Sequence, residues 1–234
     1  MRKFLLSITA VLVVTILMSA GKGSQHFEVK PVDFDSIKAG IFDPRSRYYY
    51  PTLMEKYLSN DTVLGYADYR YLYYGYTFQD DFDPFRTSEY ADVINELYYK
   101  KEFTRAECDT IIKYAELTLR DNIFDLSQMK FYIFALKEKQ KNTLAAIRQY
   151  KLNHIVAAIL SSGSGTKEKP WVVISPAHEY NLINILGYVA TGHEELENNI
   201  DYITVERKDK DSPEGFYFDA TRIKQVVQEK YPER

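Results

Sequence analysis

Apolar positions are most legible between residues 64 and 78. Leu64, Ala67, Tyr71, Tyr74 and Phe78 recur at steps of three and four, the spacing of one helix face. A second row, Tyr66, Tyr69, Tyr73 and Tyr76, falls on nearly the opposite side of the same helix at 100° per residue. Asn60, Asp61 and Thr62 supply caps ahead of it, and Gly75 marks its end. A helix with aromatics on both sides is either sandwiched between other elements or shows one row to a ligand.

Other helices follow by the same rules. Pro51 suits the first turn of a helix running to about Leu58. Ser88 to Tyr99 reads as one helix. Thr104 opens another, with Glu107 three positions on to complete a capping box. Cys108, Ile111, Ile112, Ala115 and Leu119 make its apolar face, which places the only cysteine in a core. Helices over Leu126 to Glu138 and Thr143 to Leu160 come next. The second of these is apolar on almost every side from His154 onward and belongs at a centre.

The pattern changes after Leu160. Ser161 to Pro170 is a Gly/Ser-rich stretch that reads as a flexible connector, and Trp171 to Ile174 as a strand. Ser175 and Pro176 open a helix ending near Thr191-Gly192. Tyr202 to Glu206 and Phe216 to Phe218 are two strands around a charged turn, and Thr221 to Tyr231 is a closing helix. The expected class is α+β: antiparallel helix pairs over 22–160, then a small antiparallel sheet with one or two helices over 161–234, packed on the helical region.

Residues 1–21 change where this protein is expected to work. Arg2 and Lys3 precede an apolar run from Phe4 to Met18, and Ser19, Ala20 and Gly21 follow. This is the order of a secretory signal, too short to span a membrane, and it implies export to a periplasmic or extracellular location. A lone Cys108 allows no internal disulfide, so apolar burial must hold the exported fold together. The charge is mildly acidic, with 33 acidic against 30 basic side chains, which gives no electrostatic reason to bind nucleic acid. Past the leader no segment reads as membrane-spanning.

Candidate chemistry is sparse. Ser161-Ser162-Gly163-Ser164-Gly165-Thr166-Lys167 has neither the glycine spacing nor the strand-then-helix order of a phosphate loop. His178-Glu179 and His193-Glu194-Glu195 lack a second histidine four residues on, so both read as solvated helix faces. Asp80, Asp81 and Asp83 lack the glycine and distal glutamate of a calcium loop. No catalytic residue, metal ligand or cofactor is assigned on this reading. Tyrosine is the compositional outlier: more than half of the 21 fall between Tyr48 and Tyr99. The row Tyr66, Tyr69, Tyr73 and Tyr76 serves either helix packing or stacking on a sugar or peptide.

Asn95 to Asn122 resembles a tetratricopeptide unit, with Phe103 and Ala106 suitably placed, but Ile94 and Lys113 depart from that pattern. Leu72-Tyr73-Tyr74-Gly75, Ser162-Gly163-Ser164-Gly165, Glu179-Tyr180 and Phe216-Tyr217-Phe218-Asp219 together resemble an uncharacterised family of exported proteins from Bacteroides-type gut bacteria. That resemblance implies export and helices followed by a small sheet, and it brings no activity. Two readings follow. One is a non-enzymatic binding or assembly module for a peptide, protein or glycan, using the tyrosine row. The other is a hydrolytic enzyme with a site between the helical part and the sheet, drawing on Ser164, His178 or Glu179.

Overall fold

A computed structural model describes residues 29–230. The leader read over 1–21 and the polar residues 22–28 lie outside the described residues. The α+β class holds: helices precede a small four-stranded sheet. The described chain forms two compact units, one of Asp35–Ile155 and one of residues 156–230 together with residues 29–34. No helix among the described residues is long and apolar enough to cross a membrane.

The first unit contains α1 (Phe34–Phe42), α2 (Tyr50–Leu58), α3 (Tyr66–Gly75), α4 (Glu89–Val93), α5 (Arg105–Asp121), α6 (Leu126–Glu138) and the larger part of α7 (Asn142–Leu160). Thr104 and Glu107 form the expected capping box on α5, with Glu107 N donating to Thr104 Oγ1. Cys108, Ile111 and Ala115 on α5 meet Phe131, Tyr132, Ala135 and Leu136 on α6 in one buried cluster. The helix expected over Ser88 to Tyr99 instead splits. Ile94 leaves helical geometry (φ −111°, ψ 8°) and points into that cluster, fully buried, and a 3₁₀ turn runs from Asn95 to Tyr99.

α3 begins at Tyr66, with Gly65 before it and the Asp68 carboxylate accepting from Gly65 N at 2.9 Å. Both rows contribute buried residues: Tyr69, Tyr73 and Tyr76 from one, with Leu72 beside them, and Leu64 and Tyr74 from the other. Ala67 is exposed, and Tyr66 and Tyr71 are half-buried, Tyr71 stacked on Tyr48 at 3.7 Å. Aromatics are thus buried on both sides of α3, as in the sandwiched alternative of the sequence reading.

In the second unit the sheet order is β1-β4-β3-β2, from β1 (Trp171–Val172), β2 (Ala190–Leu196), β3 (Ile200–Val205) and β4 (Gly215–Asp219). β2, β3 and β4 pair antiparallel, and β1 joins β4 in parallel. Helices α8 (Pro176–Ile185) and α9 (Thr221–Lys230) complete it. The Gly/Ser stretch read as a flexible connector is a packed loop. Ser164 N and Gly165 N both donate to Lys169 O, Val172 N donates to Ser162 Oγ, and Tyr217 N donates to Gly165 O at 3.0 Å. These bonds pair the main chain where the loop is buried, as buried backbone requires.

Candidate site on the sheet

α8 was expected to continue to Thr191-Gly192, but it stops six residues earlier in the count, at Ile185. Gly187 takes φ 81°, and its N–H donates to Asn184 O while Tyr188 N donates to Ile183 O. These are the two bonds of a Schellman cap, in which glycine is favoured because the left-handed position penalises a Cβ. Stopping there frees Ala190–Leu196 to pair with β3, which moves His193 from a helix face to a strand.

Strand alternation then decides which side chains meet. On β3, Asp201, Ile203 and Val205 are buried at period two. Asp201 stands opposite Glu195, and Ile203 opposite His193, so Asp201, His193 and Glu195 share one face of the β2–β3 ladder. α8 contributes Glu179 from its first turn. Atoms of Glu179, His193 and Asp201 able to bind a metal all lie within 4.8 Å of one another. His193 Nε2 is 3.4 Å from Asp201 Oδ1, and the His193 ring meets the edge of Tyr180 at 6.2 Å.

Burial sets the electrostatics. Glu179 is 1% exposed, and no N–H or hydroxyl donor reaches its carboxyl oxygens; its hydrogen-bonding neighbour is the Asp201 carboxyl. The N-terminal end of α8 favours a carboxylate by only about 0.5–1 kcal/mol. Desolvation outweighs that, and the Asp201 charge beside it adds to the effect, so the Glu179 carboxyl is pushed up to about 9. Glu195 pulls in the same direction, while Lys224, which bonds Glu195 at 2.9 Å, opposes it. Two carboxyl groups so placed are held either by a shared proton or by a cation.

His178 and Glu179 are buried, so the solvated helix face read from the sequence is corrected for both. The i, i+4 search missed this cluster because its members come from three different elements. The one local signal is Gly187 as a helix stop. Ser164 lies in the packed loop, where its hydroxyl pairs with Thr166 Oγ1 at 3.1 Å.

The tyrosine row lies in the helical unit. Tyr69 and Tyr73 are fully buried and Tyr76 nearly so. Tyr69 meets Tyr57 edge-on at 6.0 Å, and Tyr73 and Tyr76 both meet Phe124. Tyr66 is half-buried and stacks on His154 at 4.6 Å. Asp81 accepts from the Tyr76 hydroxyl at 3.2 Å.

Nothing among curated proteins or solved structures matches the chain. A family model does, over residues 35–229, which takes in the described helices and the sheet alike, and the chain therefore belongs to the domain-of-unknown-function family DUF4919.

Proposed function

We propose that this is an exported, non-enzymatic binding module whose sheet unit holds a divalent cation of the Zn²⁺ class between Glu179, His193 and Asp201. The observation that carries the reading is Glu179: a buried carboxyl that no N–H or hydroxyl donor reaches, set against a second carboxylate and an imidazole. An unpaired buried polar group is costly, and a metal ion would satisfy both oxygens at once. One imidazole with two carboxylates suits zinc or manganese better than magnesium or calcium, which take oxygen donors. The 3.4 Å between His193 Nε2 and Asp201 Oδ1 matches the roughly 3.4 Å between neighbouring ligands set about 2.1 Å from a tetrahedral ion.

His193 is 36% exposed along its side chain, which gives an ion a way in from solvent. Three protein ligands leave a fourth position, where a carboxylate or carbonyl of a peptide, protein or glycan partner can join. Export rests on the leader pattern of residues 1–21. A binding role is favoured over hydrolysis because Ser164, the hydroxyl on which the hydrolytic reading drew, meets the Thr166 hydroxyl at 3.1 Å rather than a histidine or carboxylate base.

Calorimetric titration of Zn²⁺ into the full mature chain tests the site. One ion per chain is expected, with proton release, since the ligands bind deprotonated. His193→Ala and Asp201→Asn should each weaken binding by about tenfold or more. A flat titration with both Zn²⁺ and Mn²⁺, or undiminished binding in both variants, would overturn the site. Turnover of peptide or ester substrates by the zinc-loaded protein would overturn the non-enzymatic part.

A further inference from the structure

A second site lies in the helical unit and is independent of the cation site. α2 ends in a Schellman cap: Asn60 takes φ 63°, Asp61 N donates to Lys56 O at 3.0 Å, and Asn60 N donates to Tyr57 O at 3.3 Å. Lys151 from α7 reaches this helix end. Its ammonium donates to the Tyr57 carbonyl and, at 2.8 Å, to Asn60 Oδ1, and lies 4.2 Å above the Tyr57 ring. All of these partners are neutral, and Lys151 is only 2% exposed.

One helical turn earlier, Arg148 lies 5.2 Å over the Tyr132 ring, and its Nε is buried with no acceptor. Lys151 and Arg148 both line a cavity of about 160 Å³ whose other walls include Leu119, Ile123 and Met129. Its remaining charges, Arg120 and Glu116, answer each other at 3.4 Å; Arg120 is exposed and Glu116 half-buried. Lys151 and Arg148 thus share this space with a single carboxylate, Glu116, which is paired to Arg120, and the buried Arg148 Nε left without an acceptor is costly. A cavity of about this volume admits a benzene-sized guest.

We propose that this cavity binds a small carboxylate with an apolar body, the carboxylate meeting Arg148 and Lys151 and the body lying against Leu119, Ile123 and Met129. Arginine presents paired donors to a carboxylate, and the planar guanidinium lies over the aromatic face of Tyr132. Burial, with Arg148 alongside, pushes the Lys151 ammonium down to about 7, and an anion would relieve that strain.

The test uses the mature chain with benzoate as probe, and with benzyl alcohol and inorganic phosphate as controls. Benzoate should bind and raise the melting temperature, while benzyl alcohol and phosphate should bind at least about tenfold more weakly. Arg148→Gln should lower benzoate affinity by a similar factor with Zn²⁺ binding unchanged. Met129→Trp fills the apolar part without touching a charge and should also abolish binding, so a misfolded Arg148 variant does not leave the idea untested. Absence of benzoate binding, equal binding of benzyl alcohol, or tighter binding of phosphate would each overturn the proposal.

Discussion

Asp201 Oδ1 lies 3.4 Å from His193 Nε2 across the β2–β3 ladder, and the buried Glu179 carboxyl comes within 4.8 Å of both residues. The contact joins a strand interior, where Asp201 is 7% exposed, to an edge strand that solvent reaches. A buried carboxylate pair so placed makes the unit sensitive to protons and to cations.

The pH dependence has a definite sign. Glu179 holds its proton up to about 9 in the folded chain, against an ordinary value of 4.5. The folded state therefore binds the extra proton between those limits, and stability from this group is greatest below about 4.5 and is lost as pH rises toward about 9. Glu179→Gln removes the titration and keeps the shape. In metal-free protein the variant should match wild type in acid and exceed it in stability near the upper limit. Denaturation midpoints across that range decide it, and parallel pH profiles for the two proteins would contradict the assignment. Zn²⁺ at about a hundredfold over its Kd should add about 2.7 kcal/mol to wild type and little to the variant.

The tyrosine row yields a stability contrast. Tyr73 is fully buried and meets Tyr74 at 5.0 Å and Phe124 at 5.8 Å, so Tyr73→Ala should cost about 3–5 kcal/mol. Tyr66 keeps part of its surface, and Tyr66→Ala should cost no more than about 1–2 kcal/mol, mostly its stacking on His154. Urea midpoints measure both. A loss at Tyr73 of less than about 0.5 kcal/mol would mean the ring is not packed as described and would return it to a ligand-facing role.

Local rules recovered most of the helical unit because its boundaries are written in short-range chemistry. Pro51, the Thr104–Glu107 box and Asp125 before Leu126 each place a helix start, and α6 falls on its expected bounds of Leu126–Glu138. Two failures have a common cause, which is that tertiary burial outweighed local pattern. Ile94 breaks a helix to reach a core formed by residues of α5, α6 and α7, Cys108 to Ala145. Charged Thr191–Leu196 lacks an apolar alternation of its own and becomes a strand because β3 offers it a ladder. The candidate cation site depended on that strand, so it was not legible from spacing alone. Gly187 is the local signal that ends the helix, five residues before Gly192, at a φ of 81°.

Cys108 was legible, and its chemistry follows from its packing. Only 2% is exposed, and desolvation, reinforced by the Glu138 charge, raises its thiol above the ordinary range. A maleimide reagent should label it slowly in native protein and quickly in denaturant. Cys108→Ala should cost on the order of 1 kcal/mol, the effect of a small cavity. Native labelling as fast as in denaturant would show that the α5–α6 cluster opens freely.

The Gly/Ser loop allows the sharpest test of packed loop against flexible connector. Gly165 takes φ 72°, and a Cβ there would lie 2.7 Å from the ring of Trp171. Trp171 is itself 6% exposed, bonds Gly163 O through Nε1 at 3.2 Å, and stacks on Phe216 at 5.2 Å. A flexible connector would accept alanine at position 165 with little change. A packed loop pays twice: about 1 kcal/mol for the left-handed backbone and roughly 1–3 kcal/mol for overpacking against an indole that cannot retreat. Gly165→Ala should therefore lower stability by about 2–4 kcal/mol. Trp171 is the only tryptophan in the chain, so its fluorescence reports this corner directly. The variant should show a red-shifted native emission together with an earlier urea midpoint, because the added methyl displaces the ring toward solvent. Unchanged emission and midpoint would mean that the loop does not clasp Trp171 and that its glycines serve flexibility after all.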